Sequence, residues 1–562
     1  MSQLVERSVP VGEVRPLGDH ACILGVEDAA RGRAVVAAIT GQAWPELREA
    51  VGGLATVMVA FVPDADPADV GQRLIRLWRA LAGVSADDVR TGARVVVPVV
   101  FDGPDLGQVA AISGGPVHRV VELLTATPLT VAVLGFSPGF AYLSGLPDAL
   151  AAVPRRTRPR PTVAAGSVAL ANGHAAVYPS ASPGGWQLIG RTNETFFTPR
   201  CPPYARLAPG DQVQFVPVDE LPDPQSWTGE DALTVPAHPP GQAVFTVEEA
   251  GIWTVLQDAG RPGLAALGVP GAGPADPDSL ALANRLVGNQ PDAGALEVTA
   301  RGPTLSCLAA TFVAAVGGSP ELTVAGQPVS SDRVVPVKAG QRLGIGPVRQ
   351  GFRSYLAVGG GLVGHPVMGS LATDQLSRLG PGPLRPGQEL RSAPLAPPLG
   401  DHLASDAVGT RELTGPIVLR VVAGPHEERC APGALAALAH LTLTVDGDSN
   451  RVGLRLRAPA GSPSLGRVGV TAELDSQGVV TGAVQIPPGG DPVILMPDHA
   501  TMGGYPVLAV VAAVDHGRLG QCAPGDSVRL QPIGHHESRR LFQERQRRLA
   551  RAVSGHYPIA VD

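Results

Sequence analysis

The sequence has 562 residues, including 70 glycines and 56 prolines, and its formal net charge at pH 7 is −6. This length allows several domains of about 100–200 residues each, and the density of glycine and proline disfavours long helices. With 44% hydrophobic residues the chain can bury a core, while the acidic balance argues against a nucleic-acid-binding protein.

The cysteines and the apolar segments indicate the cellular compartment of the protein. The five cysteines are far apart and odd in number, which is typical of free thiols in a reducing compartment; they are Cys22, Cys201, Cys307, Cys430 and Cys522. The N-terminus lacks the apolar segment of a signal peptide. The longest apolar runs, 55–62 and 507–514, are too short to span a membrane. We therefore expect a soluble cytoplasmic protein.

Residues 1–95 predict a small α/β domain. The stretches HACILGV and ATVMVAFV are typical of strands, and an alanine-rich helical stretch lies between them. Asp66 and Pro67 form a helix start, with a capping side chain followed by proline at the first helical position. Apolar residues then recur at helical spacing until Gly83; they are Val70, Leu74, Leu77, Trp78 and Leu81.

The remaining chain predicts mostly strands. Residues 96–220 contain short apolar pieces between glycines and prolines, which favours a β-barrel or a β-sandwich. Residues 221–243 are proline-rich and predict a linker. Residues 244–535 are again β-rich, with a break near 392–416 and one helix that begins at Asp276-Pro277 and ends at Gly288. The fold class is therefore mainly β with an α/β N-terminal domain.

Residues 536–562 form a basic tail. A helix over 537–553 would place Leu541, Leu549 and Val553 near one face, with six arginines around it. We expect this leucine face to pack on the C-terminal half or on a neighbouring subunit, with the arginines solvated or facing acidic surface.

One short element recurs in both halves of the chain. It appears as APGDQVQF (208–215) and APGDSVRL (523–530), with looser copies at 338–345 and 385–390. It indicates either an internal repeat or ordinary hairpin chemistry, and the sequence leaves both open.

Several stretches match known functional motifs but lack the structural context that those functions need. Residues 135–139 match G-x-S-x-G, but Pro138 lacks the N–H that an oxyanion hole needs after Ser137. Residues 359–364 match G-x-G-x-x-G, yet His365-Pro366 follows where a dinucleotide site needs a helix. The sequence has no P-loop, H-E-x-x-H or EF-hand pattern, and it predicts no metal site.

In the first half, the best binding candidates are Gly184, Gly185, Trp186 and Arg191. Paired glycines let a backbone approach a ligand, and arginine can hold a carboxylate or phosphate through two hydrogen bonds. The alternative is a tight turn with Trp186 in the core. Arg160 is a further anion-binding candidate, unless its loop is simply solvated.

In the second half, Asp258 and Arg261 could orient each other in a polar loop, and Glu297 could act as an acid or base if buried. The alternative is an Asp–Arg pair that only fixes the loop. A second glycine turn carries further binding candidates, namely Thr501, Gly503, Gly504 and Tyr505.

The motifs of the two halves resemble two known families. GFSPGFAYLSGLP (135–147), PRPTVAAGSVAL (159–170) and YPSASPGGWQLIGRT (178–192) are similar to the KipI family, also called allophanate hydrolase subunit 1. WTVLQDAGRPG (253–263), GVPGAGPADPDSLALANRLVGN (268–289) and GAVQIPPGGDPVILMPDHATMGGYP (482–506) are similar to the KipA family, subunit 2. The resemblance implies a fusion of two subunits, cyclophilin-like β-barrels in both halves, and substrate or nucleotide contacts at Phe136, Gly139 and Phe140.

The resemblance is compatible with three different functions. It implies the B and C components of an ATP-dependent 5-oxoprolinase, which opens 5-oxo-L-proline to L-glutamate with a separate A subunit and uses ATP with Mg²⁺. It also allows a carboxyltransferase module that uses biotin on another chain, since no Met-Lys-Met occurs in this sequence. A third possibility is a regulator that inhibits a sensor histidine kinase. A homo-oligomer is compatible with each.

Three positions depart from the family pattern. Leu124 stands where family members usually have histidine, residues 369–373 (GSLAT) lack the family arginine, and residues 498–506 (DHATMGGYP) lack the family glutamine. If these side chains take part in chemistry, their replacement alters the activity that the resemblance implies.

Overall fold

The computed structural model describes residues 7–82, 92–223, 240–395, 397–400, 402–403, 415–466 and 474–554. Strands dominate it, and barrels occur in both halves, which confirms the predicted fold class. Across these described ranges no helix has the length and apolar character needed to cross a bilayer. The predicted linker lies mostly outside them, and the strand after it begins at Gln242.

The N-terminal domain is the predicted α/β unit. Its antiparallel sheet has the order β1-β2-β4-β3. Asp66 caps the second helix by accepting a hydrogen bond from Ala68 N at 2.9 Å, and Pro67 is the first helical residue. The elements are β1 Val14–Pro16, β2 Ala21–Gly25, α1 Ala29–Gly41, β3 Leu47–Gly52, β4 Thr56–Phe61 and α2 Pro67–Ala80.

A seven-stranded sheet forms the barrel of the first half, in the order β12-β9-β10-β7-β6-β13-β5. A bridge between Val100 and Arg191 brings its two edges together. The elements are β5 Arg94–Val99, α3 Leu106–Ser113, α4 Val117–Ala126, β6 Leu129–Leu134, β7 Ala141–Ser144, α5 Asp148–Ala151, β8 Arg160–Val163, β9 Ser167–Ala171, β10 His174–Val177, β11 Ser182–Gly184, β12 Gln187–Arg191 and β13 Gln212–Pro217.

The helices of this barrel were not predicted. Helix α4 places Val120 and Leu124, both 0% exposed, into the barrel core four residues apart. The periodicity was obscured because glycines and prolines surround these short helices. Leu124, which replaces the family histidine, is therefore a core residue in this chain.

The second half begins with two packed sheets. One has the order β20-β19-β22-β17-β14-β25-β24, and the other has the order β15-β16-β23-β18-β21. The elements are β14 Gln242–Glu249, β15 Trp253–Gln257, α6 Pro277–Leu286, β16 Ala295–Thr299, β17 Thr304–Cys307, β18 Thr311–Val316, β19 Pro320–Val324, β20 Gln327–Val329, β21 Val335–Val337, β22 Arg342–Val348, β23 Arg353–Val358, β24 Leu362–Val363 and β25 Glu389–Ser392.

Two predictions for this region are confirmed. Asp276 caps α6, since its carboxylate accepts from Ser279 N at 3.1 Å and Pro277 follows as the first helical residue. Residues 359–361 form a loop between β23 and β24, without the helix that a dinucleotide site would need.

The chain ends in a closed barrel of order β27-β34-β31-β32-β29-β28-β35. The elements are β26 His402–Leu403, β27 Ile417–Ala423, α7 Ala434–His440, β28 Leu443–Val445, β29 Gly453–Arg457, β30 Gln477–Gly478, β31 Ala483–Gln485, β32 Val493–Leu495, β33 Met502–Gly503, β34 Val507–Val511, α8 His516–Gly520, β35 Ser527–Pro532, α9 His535–Ala550 and β36 Val553–Ser554. The short helices α7 and α8 were not predicted.

The recurring element has the same place in both barrels. β13, which follows the turn at 208–211, pairs parallel with β5 and antiparallel with β6. β35, which follows the turn at 523–526, pairs parallel with β27 and antiparallel with β28. Each of these strands pairs in parallel with the first strand of its barrel. The two copies therefore share their position in the barrel topology as well as their local sequence.

Helix α9 packs as predicted on the C-terminal half. Leu549 is buried among residues of α6, including Leu280 and Leu286. Arg545 is buried against Asp278, which agrees with the expectation that the arginines are solvated or face acidic surface. One detail differs from the prediction, since Val553 lies in strand β36, after the helix has ended.

Candidate functional site

Loops from both halves of the chain converge on one buried region. The loops are 135–140, 258–276, 367–375 and 498–505, and we call this region the inter-half site. Gly139 N donates to Leu267 O at 2.9 Å, and Ala272 N donates to Pro497 O at 3.2 Å. A Cβ atom on Gly135 would lie 2.0 Å from Met502 Sδ, and one on Gly268 would lie 2.2 Å from Ser137 O. The loops therefore pack with no room for these side chains.

The loop 135–140 is held in its conformation by aromatic packing. Phe136 adopts a left-handed backbone with φ of +69°, which is unusual for a residue other than glycine. Its ring contacts Phe140 at 5.4 Å between centroids, and Phe140 contacts Tyr178 and Trp186 at 5.3 and 5.6 Å. A strained backbone in a well-packed loop is typical of functional sites.

The turn after Ser137 is not a nucleophile elbow. Strand β7 begins at Ala141, directly after the loop, so no helix starts behind the serine. Phe140 N donates to Ser137 O at 3.0 Å and closes a turn between β6 and β7. The absence of a helix directly after the loop agrees with the prediction that Ser137 is not the nucleophile of such an elbow.

Asp258 and Arg261 fix the loop 367–375. Asp258 accepts from Leu371 N at 2.7 Å and from the Ser370 hydroxyl at 2.5 Å. Arg261 is 2% exposed and donates through Nε to Val367 O at 2.9 Å and through Nη2 to Ala372 O at 2.5 Å. The two side chains are not paired with each other in the described structure. Both instead hold a common partner loop, and their catalytic role stays a prediction.

Glu297 belongs to a fully buried ionic network. Arg451 donates to Glu297 at 2.6 Å and binds Asp498 through Nε and Nη2 at 3.0 and 2.8 Å. The Tyr355 hydroxyl donates to Glu297 at 2.7 Å, and Ala275 N donates to the same carboxylate oxygen at 3.0 Å. All these side chains are at most 3% exposed. The network joins the sheet of β16 and β23 to the C-terminal barrel.

The network keeps Glu297 ionised. Burial opposes this effect, but the positive charges of Arg451 and Arg353, together with the donated hydrogen bonds, hold the pKa of Glu297 below its ordinary value. A carboxylate with a lowered pKa is a poor general acid at neutral pH. The predicted acid or base role of Glu297 is untested, but its surroundings favour a positioning role.

Asp374 has the opposite environment. Burial, and then the negative charge of Asp498, raise the pKa of Asp374 to about 6. Its Oδ1 accepts from Leu376 N at 2.9 Å and from Ser377 N at 3.2 Å, whereas no residue of the described chain bonds its buried Oδ2. A carboxyl that titrates near neutral pH can exchange protons with a substrate.

Four buried polar atoms of the inter-half site have no hydrogen-bond partner within the described residues. They belong to different loops and are Ser137 Oγ, Arg261 Nη1, Asp374 Oδ2 and Thr501 Oγ1. Buried polar atoms are almost always paired, and exceptions need an explanation. The set combines a cationic donor, two hydroxyls and a titratable carboxyl, which suits a small polar substrate.

The other predicted residues form a separate group on the first-half barrel. Arg160 donates to Asp105 at 2.8 Å, and the exposed Arg191 donates to Asp102 at 2.8 Å. Gly184 is buried and Gly185 half-buried, while Trp186 packs in the aromatic cluster, as the core alternative anticipated. In the inter-half site, Gly503 ends strand β33 and Gly504 follows it, beside the exposed Tyr505. The predicted residues therefore fall into two regions.

Sequence reasoning missed Asp374, Arg451 and Tyr355 and did not single out Asp498. Asp374 follows the GSLAT stretch and Asp498 opens DHATMGGYP, so proximity to these motifs could have signalled both. Arg451 stands in a polar turn without any such signal. Among the described residues, no group of three or more His, Cys, Asp or Glu side chains could hold a metal ion.

Known proteins match both halves of the chain. Residues 267–532 match the family described as carboxyltransferase domain, subdomain A and B, and residues 12–207 match carboxyltransferase domain, subdomain C and D. The C subunit of 5-oxoprolinase from Escherichia coli (strain K12) is 33% identical over 307 residues, which cover 54% of this chain and 96% of that protein. This chain belongs to the carboxyltransferase-domain family of 5-oxoprolinase subunits.

Further relatives extend this assignment within the carboxyltransferase-domain family. The B subunit of 5-oxoprolinase from Escherichia coli O157:H7 is 40% identical over 180 residues, covering 31% of this chain and 80% of that protein. The urea amidolyase of Lachancea kluyveri is 31% identical over 322 residues, which are 53% of this chain and 17% of that protein. The crystal structure of TTHA0988 matches with a TM-score of 0.78 and 31% identity, covering 92% of this chain and 100% of that one. The two family resemblances are confirmed.

Proposed function

We propose that this chain supplies the B and C components of an ATP-dependent 5-oxoprolinase, which opens 5-oxo-L-proline to L-glutamate together with a separate A subunit. The observation that carries the proposal is the inter-half site. Each half is similar to a different 5-oxoprolinase subunit, and loops from both halves build one buried polar region.

The chemistry of the site fits the opening of a lactam. Once the carbonyl oxygen has been activated, water must attack the ring carbonyl carbon, and the ring nitrogen must gain a proton as the C–N bond breaks. Asp374, with its pKa near 6, is ionised at neutral pH and would take the proton from water and pass it to the nitrogen. Nη1 of Arg261 would donate to the activated carbonyl oxygen and its phosphoryl group.

ATP is a substrate in this proposal. Transfer of its terminal phosphoryl group to the lactam oxygen would release ADP and activate the ring carbonyl carbon. Attack by water and cleavage of the C–N bond would then leave an acyl phosphate, which a second water hydrolyses to glutamate and inorganic phosphate. Mg²⁺ would accompany the phosphates. Because the sequence lacks a P-loop, glycine backbone N–H groups and arginines would have to bind the phosphates. The A subunit would complete the site, so this chain alone should turn over little 5-oxoproline.

The decisive experiment is reconstitution. The purified chain is mixed with a 5-oxoprolinase A subunit, ATP, Mg²⁺ and 5-oxoproline, and glutamate and ADP are measured. We expect glutamate from the mixture and little from either protein alone. No glutamate from a mixture in which the two proteins form a complex would refute the proposal.

Two glycine variants test whether the junction of the halves matters. Gly268 and Gly263 both have positive φ, +78° and +85°, so alanine strains both backbones. Only at Gly268 does the new Cβ meet the loop at Ser137, because the surroundings of Gly263 are open. We expect Gly268→Ala to lose most of its activity and Gly263→Ala to retain much more. Equal losses would show that the contact with the first half is not needed.

The carboxyltransferase reading remains the second candidate, because the matching families carry that description and a urea amidolyase is among the relatives. In that case biotin would be carried by another chain. Supplying carboxybiotin and urea, and measuring loss of carboxybiotin, separates the two functions. Inhibition of a histidine kinase has no structural observation in its favour and stays a prediction from resemblance.

A further inference from the structure

A second polar cluster lies on the first-half barrel, outside the inter-half site. Arg156 Nη1 and Arg160 Nη2 both donate to the same oxygen of Asp105, at 2.9 and 2.8 Å. The other Asp105 oxygen accepts from Leu188 N at 2.7 Å. We call Arg156, Arg160 and Asp105 the arginine cluster. Its position next to strand β8 is set by the pairing of β8 with β11, which brings Arg160 opposite Gly184.

The arginine cluster carries more positive than negative charge. One carboxylate serves two guanidinium groups, and the same loop carries Arg155 and Arg158 as well. Burial opposes ionisation of Asp105, but the arginines and the Leu188 N–H outweigh it and lower the pKa of this carboxyl. The carboxylate therefore stays ionised but cannot neutralise both cations. A ligand with negative charge would restore the balance.

Donors of the arginine cluster also lack acceptors. Arg160 Nη1 and Arg156 Nε are buried and have no partner among the residues that the structure describes, and the same holds for Ser182 Oγ on the facing strand β11. Leaving buried charged donors unbonded costs more than leaving neutral ones unbonded. Three donors on adjacent segments, with no unbonded carboxylate between them, match the oxygens of a phosphate group.

Glycines pack closely beside the arginine cluster. A Cβ on Gly184 would lie 2.3 Å from the Tyr178 hydroxyl, and Gly185 O accepts from Arg156 N at 2.7 Å. Gly185 therefore fixes the arginine loop while adding no side chain over it. Arg156 and Arg160 keep side-chain exposures of 32% and 23%, so solvent, and hence an anion, can reach part of each side chain.

We propose that the arginine cluster is a phosphate-binding site, and that its ligand is the polyphosphate chain of a nucleoside triphosphate. The assignment to ATP rests on the proposed function, whereas the phosphate chemistry rests on the arginine cluster itself. Phe140 links the two regions, since its ring contacts Phe136 of the inter-half site and Trp186 beside Gly185. The site differs from a P-loop because guanidinium groups, and not a glycine-rich helix start, bind the phosphates.

Calorimetric titration of the full chain tests the proposal with tripolyphosphate, ATP and AMP as probes. We expect tripolyphosphate and ATP to bind, AMP to bind much more weakly, and affinity to fall with rising salt. Arg160→Gln should raise the Kd of tripolyphosphate at least about tenfold, the effect of losing one charge-assisted hydrogen bond. The control Arg119→Gln, which removes an exposed arginine paired with Glu122, should leave the Kd unchanged.

The outcomes separate this proposal from the proposed function. Thermal melting first shows that Arg160→Gln is folded, and Arg156→Gln replaces it if it is not. Unchanged tripolyphosphate affinity in a folded variant, or no binding by the wild type, overturns the phosphate site even if glutamate is produced. Tripolyphosphate binding that depends on Arg160, without glutamate production in the reconstituted mixture, supports the phosphate site and refutes only the oxoprolinase assignment.

Discussion

Replacing Arg451 by methionine should destabilise the C-terminal half strongly. The guanidinium makes four hydrogen bonds of 2.6–3.0 Å, three to the carboxylates of Glu297 and Asp498 and one to Gly273 O. Methionine fills a similar volume but provides no positive charge. Glu297 would keep Arg353 at 3.5 Å, whereas Asp498 would lose its cationic partner and keep only the hydrogen bond from Gln375 N, so a buried charge would be left uncompensated.

The size of the effect follows from this burial. Removing one partner of a buried ion pair costs about 3–5 kcal/mol, and every carboxylate here is 0% exposed. At roughly 2–4 °C per kcal/mol for a domain of 150–250 residues, the melting temperature should fall by roughly 6–20 °C. The exposed Arg457, which pairs with Asp446, provides the control. Arg457→Met should leave the melting temperature unchanged within error, since surface pairs contribute little.

The pH dependence gives a second signature. In the wild type the folded pKa of Glu297 is lowered from 4.5, so its stabilisation is complete above that value and is lost as pH falls through the folded pKa. Burial already raises the pKa of Asp498 in the wild type, against the opposing charge of Arg451. Without Arg451 the pKa values of both Asp498 and Glu297 rise, and folding then becomes less favourable as pH rises. The difference between variant and wild type should therefore be largest near neutral pH and shrink below about pH 4.5.

Differential scanning calorimetry at several pH values measures both effects. A decrease in melting temperature for Arg451→Met no larger than that for Arg457→Met would show that the network contributes nothing to stability. A large decrease that is constant between acidic and neutral pH would show that lost packing, and not uncompensated charge, causes the effect.

Three further results are expected. Asp374→Asn should abolish glutamate formation in the reconstituted mixture. The kcat/KM of the wild type should decrease below about pH 6, where the Asp374 carboxyl is protonated. A wild-type kcat/KM that stays constant down to pH 5 would exclude Asp374 as the base. Arg261→Ala should lower kcat/KM roughly 10²-fold, and Arg261→Lys should restore only part of it, because one ammonium cannot reach all the carbonyls that Arg261 binds; full activity in either variant would contradict the predicted role. Deleting residues 535–562 should lower the melting temperature, since Leu549 and Arg545 are buried against α6. The affinity for tripolyphosphate should stay unchanged. A weaker affinity at an unchanged melting temperature would place the tail at the phosphate site.

Local patterns in the sequence were sufficient for the fold class and for several element boundaries. Asp66-Pro67 and Asp276-Pro277 start helices as predicted, because a capping carboxylate and a proline act within one turn of chain. The glycine loop at 359–361 was likewise predictable, since a helix would have to follow it directly in sequence. The helix α4 was missed because its pattern covers only ten residues.

The sequence also determined which residue types are available for chemistry. It argued against Ser137 as the nucleophile of an elbow, because Pro138 has no N–H for an oxyanion hole, and it lacks the P-loop pattern. It identified Asp258, Arg261 and the loop at 135–140 as separate candidates. Only the tertiary structure decided that Asp258 and Arg261 hold the loop at 367–375, and that Gly268 meets Ser137 from the other half. It alone placed Arg451 between Glu297 and Asp498, residues separated by up to 201 positions in the chain. The physical reason is that pKa values and ion pairing depend on burial and on charges nearby in space, and neither quantity is encoded in local sequence spacing.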